Sequence, residues 1–335
     1  MKVLITGGTG FLGLKTAERL ALAGYKVTAA GRNTTLKTHF LEKGIAFCQM
    51  NLHHPQEVIA ACHGQDIVIH CGALSASWGR YEEFIQTNVR GTQHVIKGCF
   101  THDVKRLIHI SSPSIYFDFS DRFDIRETDP LPTQSCNAYA QTKLLAEKVI
   151  DQAFRDGLHV VTLRPRGIFG PGDTTIFPRL IEANRKHRLP LIHGGHALLD
   201  MTYVENVVDA ILLSIQAPAA ACGQKFNITN GEPWTALALV KCLCKKLEEP
   251  FYPKQINYTA AYAASWGMEL FSKYLRNYKE PHFTRYSIGI ISKSQTLDIQ
   301  AAKHILGYFP RFGMEEGIAA FAKWWKEKEK STYGR

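Results

Sequence analysis

An α/β fold with a doubly wound parallel sheet is predicted by three features of the sequence. Short β-branched runs alternate with helical patterns through the first half of the chain. A glycine-rich loop, Thr6-Gly7-Gly8-Thr9-Gly10-Phe11-Leu12-Gly13, separates the first such run from the first helical pattern. Beyond Arg164 the alternation gives way to Gly-Pro elements such as Gly170-Pro171-Gly172 and to longer loops, as a smaller appended region would show.

The elements follow in order. Val3-Leu4-Ile5 reads as a first strand, and Phe11 to Ala23 as a helix with Leu14, Ala17, Leu20 and Ala21 on its apolar positions. Lys26 to Ala30 is a second strand and Ala46-Phe47-Cys48 a third. Asp66 to His70 is a fourth, followed by a helix from Glu83 to Cys99. Leu107 to Ile110 is a fifth strand, and Ser111 to Asn137 is expected to be loop. A long helix runs from Tyr139 to Arg155, and Val160 to Leu163 closes the series. This places a nucleotide-binding Rossmann domain at 1–165 and a mainly substrate-binding region at 166–335. A segment at about 200–216 is expected to pack back on the first domain.

Composition bounds the function. With 335 residues, 45% of them apolar, the chain can bury a sizeable core. No apolar run approaches a membrane span, and no secretory leader is read at the start, so a cytosolic location is expected. Eight isolated or helix-embedded cysteines, including Cys242 and Cys244, lack the partner group a zinc site needs and read as free thiols. His53-His54 lacks a third ligand, so no metal is expected. The net charge of +10 gathers at Arg179 to Arg188 and in a Lys/Glu-alternating tail that reads as a solvated helix end with i,i+4 pairs. No module interleaves basic residues with stacking aromatics, which argues against nucleic acid. An anionic cofactor or small anionic substrate accounts for the excess.

Glycines at 7, 10 and 13 suit a tight turn, close backbone approach and helix–strand packing, with Gly8, Thr9, Phe11 and Leu12 completing a pyrophosphate site on the helix N-terminus. The second strand ends Ala29-Ala30-Gly31-Arg32. Arg32 stands where an NAD enzyme carries a carboxylate, and a guanidinium there pairs with a 2′-phosphate. NADP(H) is therefore expected over NAD(H). Tyr139 and Lys143 fall at i and i+4 on one helix face, where an ammonium can favour ionisation of a phenol. Tyr139 is then the proton donor or acceptor at a carbonyl carbon's oxygen, and Ser112 a hydrogen-bonding partner for the same oxygen.

The glycine loop, the serines after the fifth strand and the Tyr/Lys helix occur with Thr87-Asn88-Val89-Arg90-Gly91-Thr92 and Leu163-Arg164-Pro165-Arg166-Gly167-Ile168-Phe169-Gly170-Pro171-Gly172. Together they resemble the extended short-chain dehydrogenase/reductases along nearly the whole chain. The segments His70-Cys71-Gly72-Ala73, Ile110 to Ser114, Tyr203 to Asn206 and Asn227 to Pro233 look closest to the 3β-hydroxysteroid dehydrogenase-like branch, above all bacterial 2-alkyl-3-oxoalkanoate reductases. The resemblance implies that Ser112, four before Tyr116, is catalytic rather than Ser111, and that Asn88 orders the site. It implies that Lys143 bonds the nicotinamide ribose and that Gly72 and Ala73 line the adenosine side. Asn51, beside Leu52, replaces an aspartate that meets adenine in many relatives, and Pro165 borders the cofactor. It further implies a ketone–secondary alcohol oxidoreductase acting on a small hydrophobic substrate, which is a 3-oxo acid or ester or a 3-hydroxysteroid-like ring. Dimers are common in the family.

Trp78 in the loop after the fourth strand, Ser114 and Arg166 are candidate substrate residues; Trp78 either walls the pocket or packs in the core, and Arg164 and Arg166 either bind a substrate carboxylate or brace the cofactor domain. The aromatic and basic stretch 252–291 is read as a pocket lid, with a membrane-surface contact or a subunit contact as alternatives. Two other functions stay open: a nucleotide-sugar epimerase or dehydratase on the same fold, and a non-catalytic NADP-binding sensor.

Overall fold

The computed structural model describes residues 1–187 and 189–333, which leaves Arg188, the end of the basic stretch, outside the described residues. Seven parallel strands form the main sheet. They are β1 (Lys2–Thr6), β2 (Lys26–Gly31), β3 (Ala46–Gln49), β4 (Ile67–His70), β5 (Arg106–Ile110), β6 (Val160–Pro165) and β7 (Lys225–Ile228). Their order is β7-β6-β5-β4-β1-β2-β3, so the direction of winding reverses beside β1, where ligands of such sheets bind.

The strands read as unbroken apolar runs because both faces are covered. Val3 and Ile5 face one way, packing with Ala17 and Leu20 of α1 (Phe11–Leu22). Leu4 faces the other, with Val58 of α2 (Pro55–Ala61), Val95 of α3 (Gly91–Thr101) and Ile150 of α4 (Ala138–Arg155). Helix α5 (Val204–Gln216) returns to the first face through Val207, Ala210 and Ile211. The sheet also takes back β7, which the sequence reading had not assigned to it; Phe226 and Ile228 are too short an apolar signal alone.

A second core lies under α6 (Ala236–Leu247) and α9 (Met314–Tyr333), where Leu239, Leu243, Ile318 and Phe321 meet Phe177 and Met201. Two further helices, α7 (Tyr258–Leu275) and α8 (Arg285–Ser292), pack on each other beside it.

Three local expectations need correction. The helix read from Glu83 to Cys99 is interrupted by a π-turn at Ile85–Arg90, so its face is re-aimed at Asn88. The stretch 111–137 is not all loop: Arg122–Ile125 forms a strand beside Gln295–Leu297, burying Ile125 against Leu297. In the tail, Lys326 and Glu329 pair across to Glu248 and Arg185. Within the basic stretch, Arg179, Arg185 and Lys186 all hold carboxylate partners at the surface.

All eight cysteines are free, three of them buried and five partly open. Among the described residues no group of His, Cys, Asp or Glu is placed to hold a metal, and no helix is long and apolar enough to cross a membrane.

Candidate active site

The loop from Gly7 to Gly13 forms a cradle that side chains would fill. Gly7 has φ +68°, and a Cβ there would stand 2.7 Å from the Gly72 backbone; at Gly13 it would stand 2.2 Å from the Gly7 carbonyl oxygen. Gly8 backs onto Ala29, and Thr9 leans over Gly31. Gly10 caps α1 with no side-chain hydrogen bond, and the first turn holds no acidic residue. The opening amides of α1, from Phe11 to Gly13, therefore lack a side-chain cap, the donor set a pyrophosphate takes.

The remaining expected cofactor residues lie at or just beyond the carboxyl ends of β2, β3, β4 and β6. Arg32 follows β2, is exposed, and has no carboxylate partner among the described residues. The Asn51 side-chain oxygen accepts the His53 amide at 3.1 Å, so it shapes its own turn and keeps one lone pair over. Leu52 packs against Gly72, Ala73 is exposed just beyond it, and Pro165 ends β6 opposite Ile228. These residues fit a dinucleotide.

The Asn137 side chain accepts the Ala140 amide at 2.8 Å and starts α4, which puts Tyr139 in the first turn and Lys143 one turn further. The two serines after β5 diverge. Ser111 turns inward and donates to Glu147, whereas Ser112 accepts the Ser114 amide at 3.2 Å and stands against the Tyr139 phenol. Asn88 is buried and clamps the loop after β4. Its oxygen accepts the Leu74 amide at 2.7 Å, and its nitrogen donates to the Leu74 carbonyl and to Thr142 at 3.2 and 3.1 Å. The clamp holds that loop beside α4, so Ser75 also reaches the phenol.

One electrostatic expectation fails. Burial pushes the Tyr139 phenol above its ordinary value, and what draws it partly back is the Ser112 hydroxyl and then that of Ser75, not Lys143. The lysine is engaged elsewhere: its ammonium donates to the Ile110 carbonyl at 2.7 Å. Burial lowers Lys143 to about 8, opposed by Glu147 and Cys71. The protonated form of the Tyr139 phenol is thus favoured, and Lys143 is a cation close to its titration.

Beneath this pair lies a buried ion pair. Arg164 meets Glu147 in forked fashion, 2.8 Å from Nε to Oε1 and 2.6 Å from Nη2 to Oε2, and also donates to the Tyr116 hydroxyl. A second line links the phosphate loop to the clamp. Thr6 bonds His70 at 2.6 Å, His70 bonds Thr92 at 3.0 Å, and Thr92 donates to the Asn88 carbonyl at 2.7 Å. Burial pushes His70 down to about 3, so this relay is neutral.

The two arginines of Arg164-Pro165-Arg166 therefore separate. Arg164 is structural. Arg166 lies deep in the protein yet keeps accessible surface; no carboxylate is in ion-pair contact with it among the described residues, and the buried Asp200 carboxyl acts on it from further off. The Arg166 Nε donates to Gln295 at 3.1 Å and its Nη1 to the Asp200 carbonyl at 3.1 Å. Tyr286 stands close enough to feel Arg166, Tyr139 and Cys136. Around them, Ser114 Oγ, Asn137 Nδ2 and Gln295 Nε2 are buried without a partner. Trp78 is not an open wall. Its indole donates to Ser272 of α7 at 2.9 Å and stacks on Tyr278, which ties the loop after β4 to the cap. Sequence reasoning gave no role to Tyr286 or Ser75; both sit in segments it had marked, without a motif to single them out.

A glycine cradle at a sheet switch point, beside a Ser–Tyr–Lys group, defines an NAD(P)-dependent oxidoreductase of the extended short-chain dehydrogenase/reductase class. The family comparison agrees: residues 3–229 match the NAD dependent epimerase/dehydratase family, and the chain belongs to it. It is 35% identical to a 2-alkyl-3-oxoalkanoate reductase of Stenotrophomonas maltophilia, covering 95% of this chain and 97% of that one. It is 31% identical to the mouse decarboxylating sterol-4-alpha-carboxylate 3-dehydrogenase, over 95% and 89% of the two chains. In fold it resembles UDP-glucose 4-epimerase of Thermotoga maritima, with a TM-score of 0.80, 22% identity, and 98% and 100% of the chains covered. A UDP-glucuronic acid 4-epimerase of Bacillus cereus, solved with NAD, has a TM-score of 0.78 at 20% identity over 98% and 99% of the chains.

Proposed function

We propose that this protein reduces the ketone of a hydrophobic 3-oxo acid to the secondary alcohol, with NADPH in preference to NADH. The observation that carries the reading is the cation at Arg166, deep, with no carboxylate in ion-pair contact among the described residues, and linked through Tyr286 to the tyrosine that would serve the carbonyl. The carboxyl that acts on Arg166, that of Asp200, is not in ion-pair contact with it and is itself pushed toward its neutral form by burial, so a substrate carboxylate would supply a closer counter-charge. The bound dinucleotide would supply the hydride.

The chain's own groups do the rest. Tyr139 gives its phenolic proton to the carbonyl oxygen, and Ser112 donates a hydrogen bond to that oxygen as charge develops. Lys143, tethered to the Ile110 carbonyl, offers its remaining protons to the ribose of the dinucleotide. Arg32 takes the 2′-phosphate. Ser114, Asn137 and Gln295 offer unused polar atoms for the acid head group. The named relatives that act on 3-oxo acids or sterol carboxylates support the same substrate class. Sugar-nucleotide chemistry is less well supported, because Pro113-Ser114 occupies the place where dehydratases of this superfamily carry an acidic pair.

The test is NADPH oxidation with a 2-substituted 3-oxo acid, its ester and a 3-oxosteroid, repeated with NADH. Turnover greatest on the acid with NADPH is expected. No consumption with any of the three, or conversion of a UDP-sugar instead, would overturn the reading.

A further inference from the structure

Helix α7, YTAAYAASWGMELFSKYL, is built inside out. Its buried residues are polar: Ser265, Glu269 and Ser272. Each is satisfied. Glu269 accepts the Arg285 amide at 2.7 Å and Arg285 Nε at 2.6 Å. Ser272 accepts from Trp78 and donates to the Lys279 carbonyl at 2.6 Å. Ser265 donates back to Ala261.

The opposite half of the helix carries the large apolar side chains. Trp266 and Phe271 are each 53% exposed, Tyr274 71% and Leu275 74%, with Leu270 beside them. At 100° per residue these span about half the circumference, and only alanines, Gly267 and Thr259 lie between them. The one charge at the margin is Lys273, whose ammonium lies 5.2 Å from the Tyr274 ring centre. Contiguous apolar surface of this kind marks an interaction site.

Charge selects the occupant. From 252 to 293 the chain carries Lys254, Lys273, Arg276, Lys279, Arg285 and Lys293 against Glu269 and Glu280 alone. Both glutamates are engaged, with Arg285 and Arg179. Lys254, Lys273, Arg276 and Lys279 are exposed and have no carboxylate partner among the described residues. A second copy placed face to face would set these cations against their own images. An anionic lipid surface matches both the charge and the Trp/Tyr-rich face.

We infer that α7 docks the protein on the surface of an anionic bilayer, lying in the headgroup region with Trp266, Leu270, Phe271, Tyr274 and Leu275 inserted. The position suits the chemistry behind it. An apolar cavity of about 280 Å³, lined by Ile256, Ala264, Met268, Phe283 and Ile288, lies between α7 and α8. From the inner side of α7, Tyr262, Phe119, Phe117 and Tyr286 touch in succession and end beside Tyr139. A substrate dissolved in lipid would meet the apolar cleft at the docked face, with a row of packed aromatic rings between it and Tyr139. The docking itself does not depend on which ketone is reduced.

The experiment is co-sedimentation of the full chain with vesicles of phosphatidylcholine, with and without a quarter of phosphatidylglycerol. Binding is expected only to the anionic vesicles, and it should weaken as salt rises. The pair Trp266→Ser and Phe271→Ser should weaken binding by at least about tenfold, with an unchanged melting curve and unchanged turnover of a short soluble ketone. Lys273→Glu with Arg276→Glu should remove the salt-sensitive part. Absence of binding to anionic vesicles, or equal binding by the Trp266/Phe271 variant, would overturn the inference. So would a dimer of the natural chain that this variant splits, because the face would then belong to a second copy.

Discussion

Two helices of 18 residues, α4 and α7, each bury a glutamate, and the contrast between them separates the machinery from its cover. In α4 the inner face carries Lys143 and Glu147, both almost fully enclosed, while Gln141 and Lys148 meet water. In α7 the inner face carries Glu269 among serines, and aromatic side chains meet water. The inward charge of α4 is matched by an equally buried arginine; that of α7 is matched by Arg285, which is itself 41% exposed. Polar residues turned inward thus have different meanings. In α4 they hold Lys143 and the buried Arg164 in place, and in α7 they fasten a helix whose outer face is left for something else.

The contrast can be broken by removing each carboxylate. Glu147→Gln leaves the Arg164 guanidinium buried and unpaired, which should cost about 3–5 kcal/mol in urea unfolding. Glu269→Gln should cost about 1–3 kcal/mol, because Arg285 can turn to water. Equal losses would erase the distinction. The pH dependence follows the same line. Arg164 and Ser111 hold the Glu147 carboxyl below its ordinary value against the burial that raises it. Its contribution to stability is therefore present above the ordinary carboxylate range and is lost as pH falls through the folded value.

Substrate and cofactor variants sharpen the comparison with smaller effects. Arg166→Gln should raise KM for a 3-oxo acid by about 10- to 100-fold and leave its ester nearly unchanged, since a charged hydrogen bond is removed from one and not the other. Arg32→Ala should raise KM for NADPH by about tenfold without changing that for NADH. Lys143 gives the mildest signature. Burial favours its neutral form, so between about 8 and the ordinary lysine value the unfolded chain binds more protons and folding stability rises with pH. Over the same range the cation is lost, and kcat/KM should fall with a midpoint near 8.

Much of this was legible before any coordinates. Val3-Leu4-Ile5 against the glycines of the loop announced a strand, a turn and a helix, because a buried parallel strand and a phosphate cradle each tolerate few residue types. Ser112, Tyr139 and Lys143 were legible through spacing and resemblance. What spacing could not carry was the direction of a polar side chain. Arg164 and Arg166 look alike in a string, yet one forks onto Glu147 and the other bonds Gln295 and the Asp200 carbonyl. The lysine's pull toward the Ile110 carbonyl depends on a backbone 33 residues away in sequence. The strand Arg122–Ile125 is held by partners near 295, and no local pattern reports that. The aromatic stretch 252–291 was marked, but that its serines face inward and its tryptophan outward is a tertiary outcome.

The claim that most depends on this arrangement is that Tyr139 is an acid kept protonated beside Ser112. The direct measurement is single-turnover NADPH oxidation by Tyr139→Phe, with cofactor affinity measured on the same sample. A fall in rate of about 10²- to 10⁴-fold at unchanged NADPH binding is predicted. A rate close to that of the natural chain would contradict the assignment.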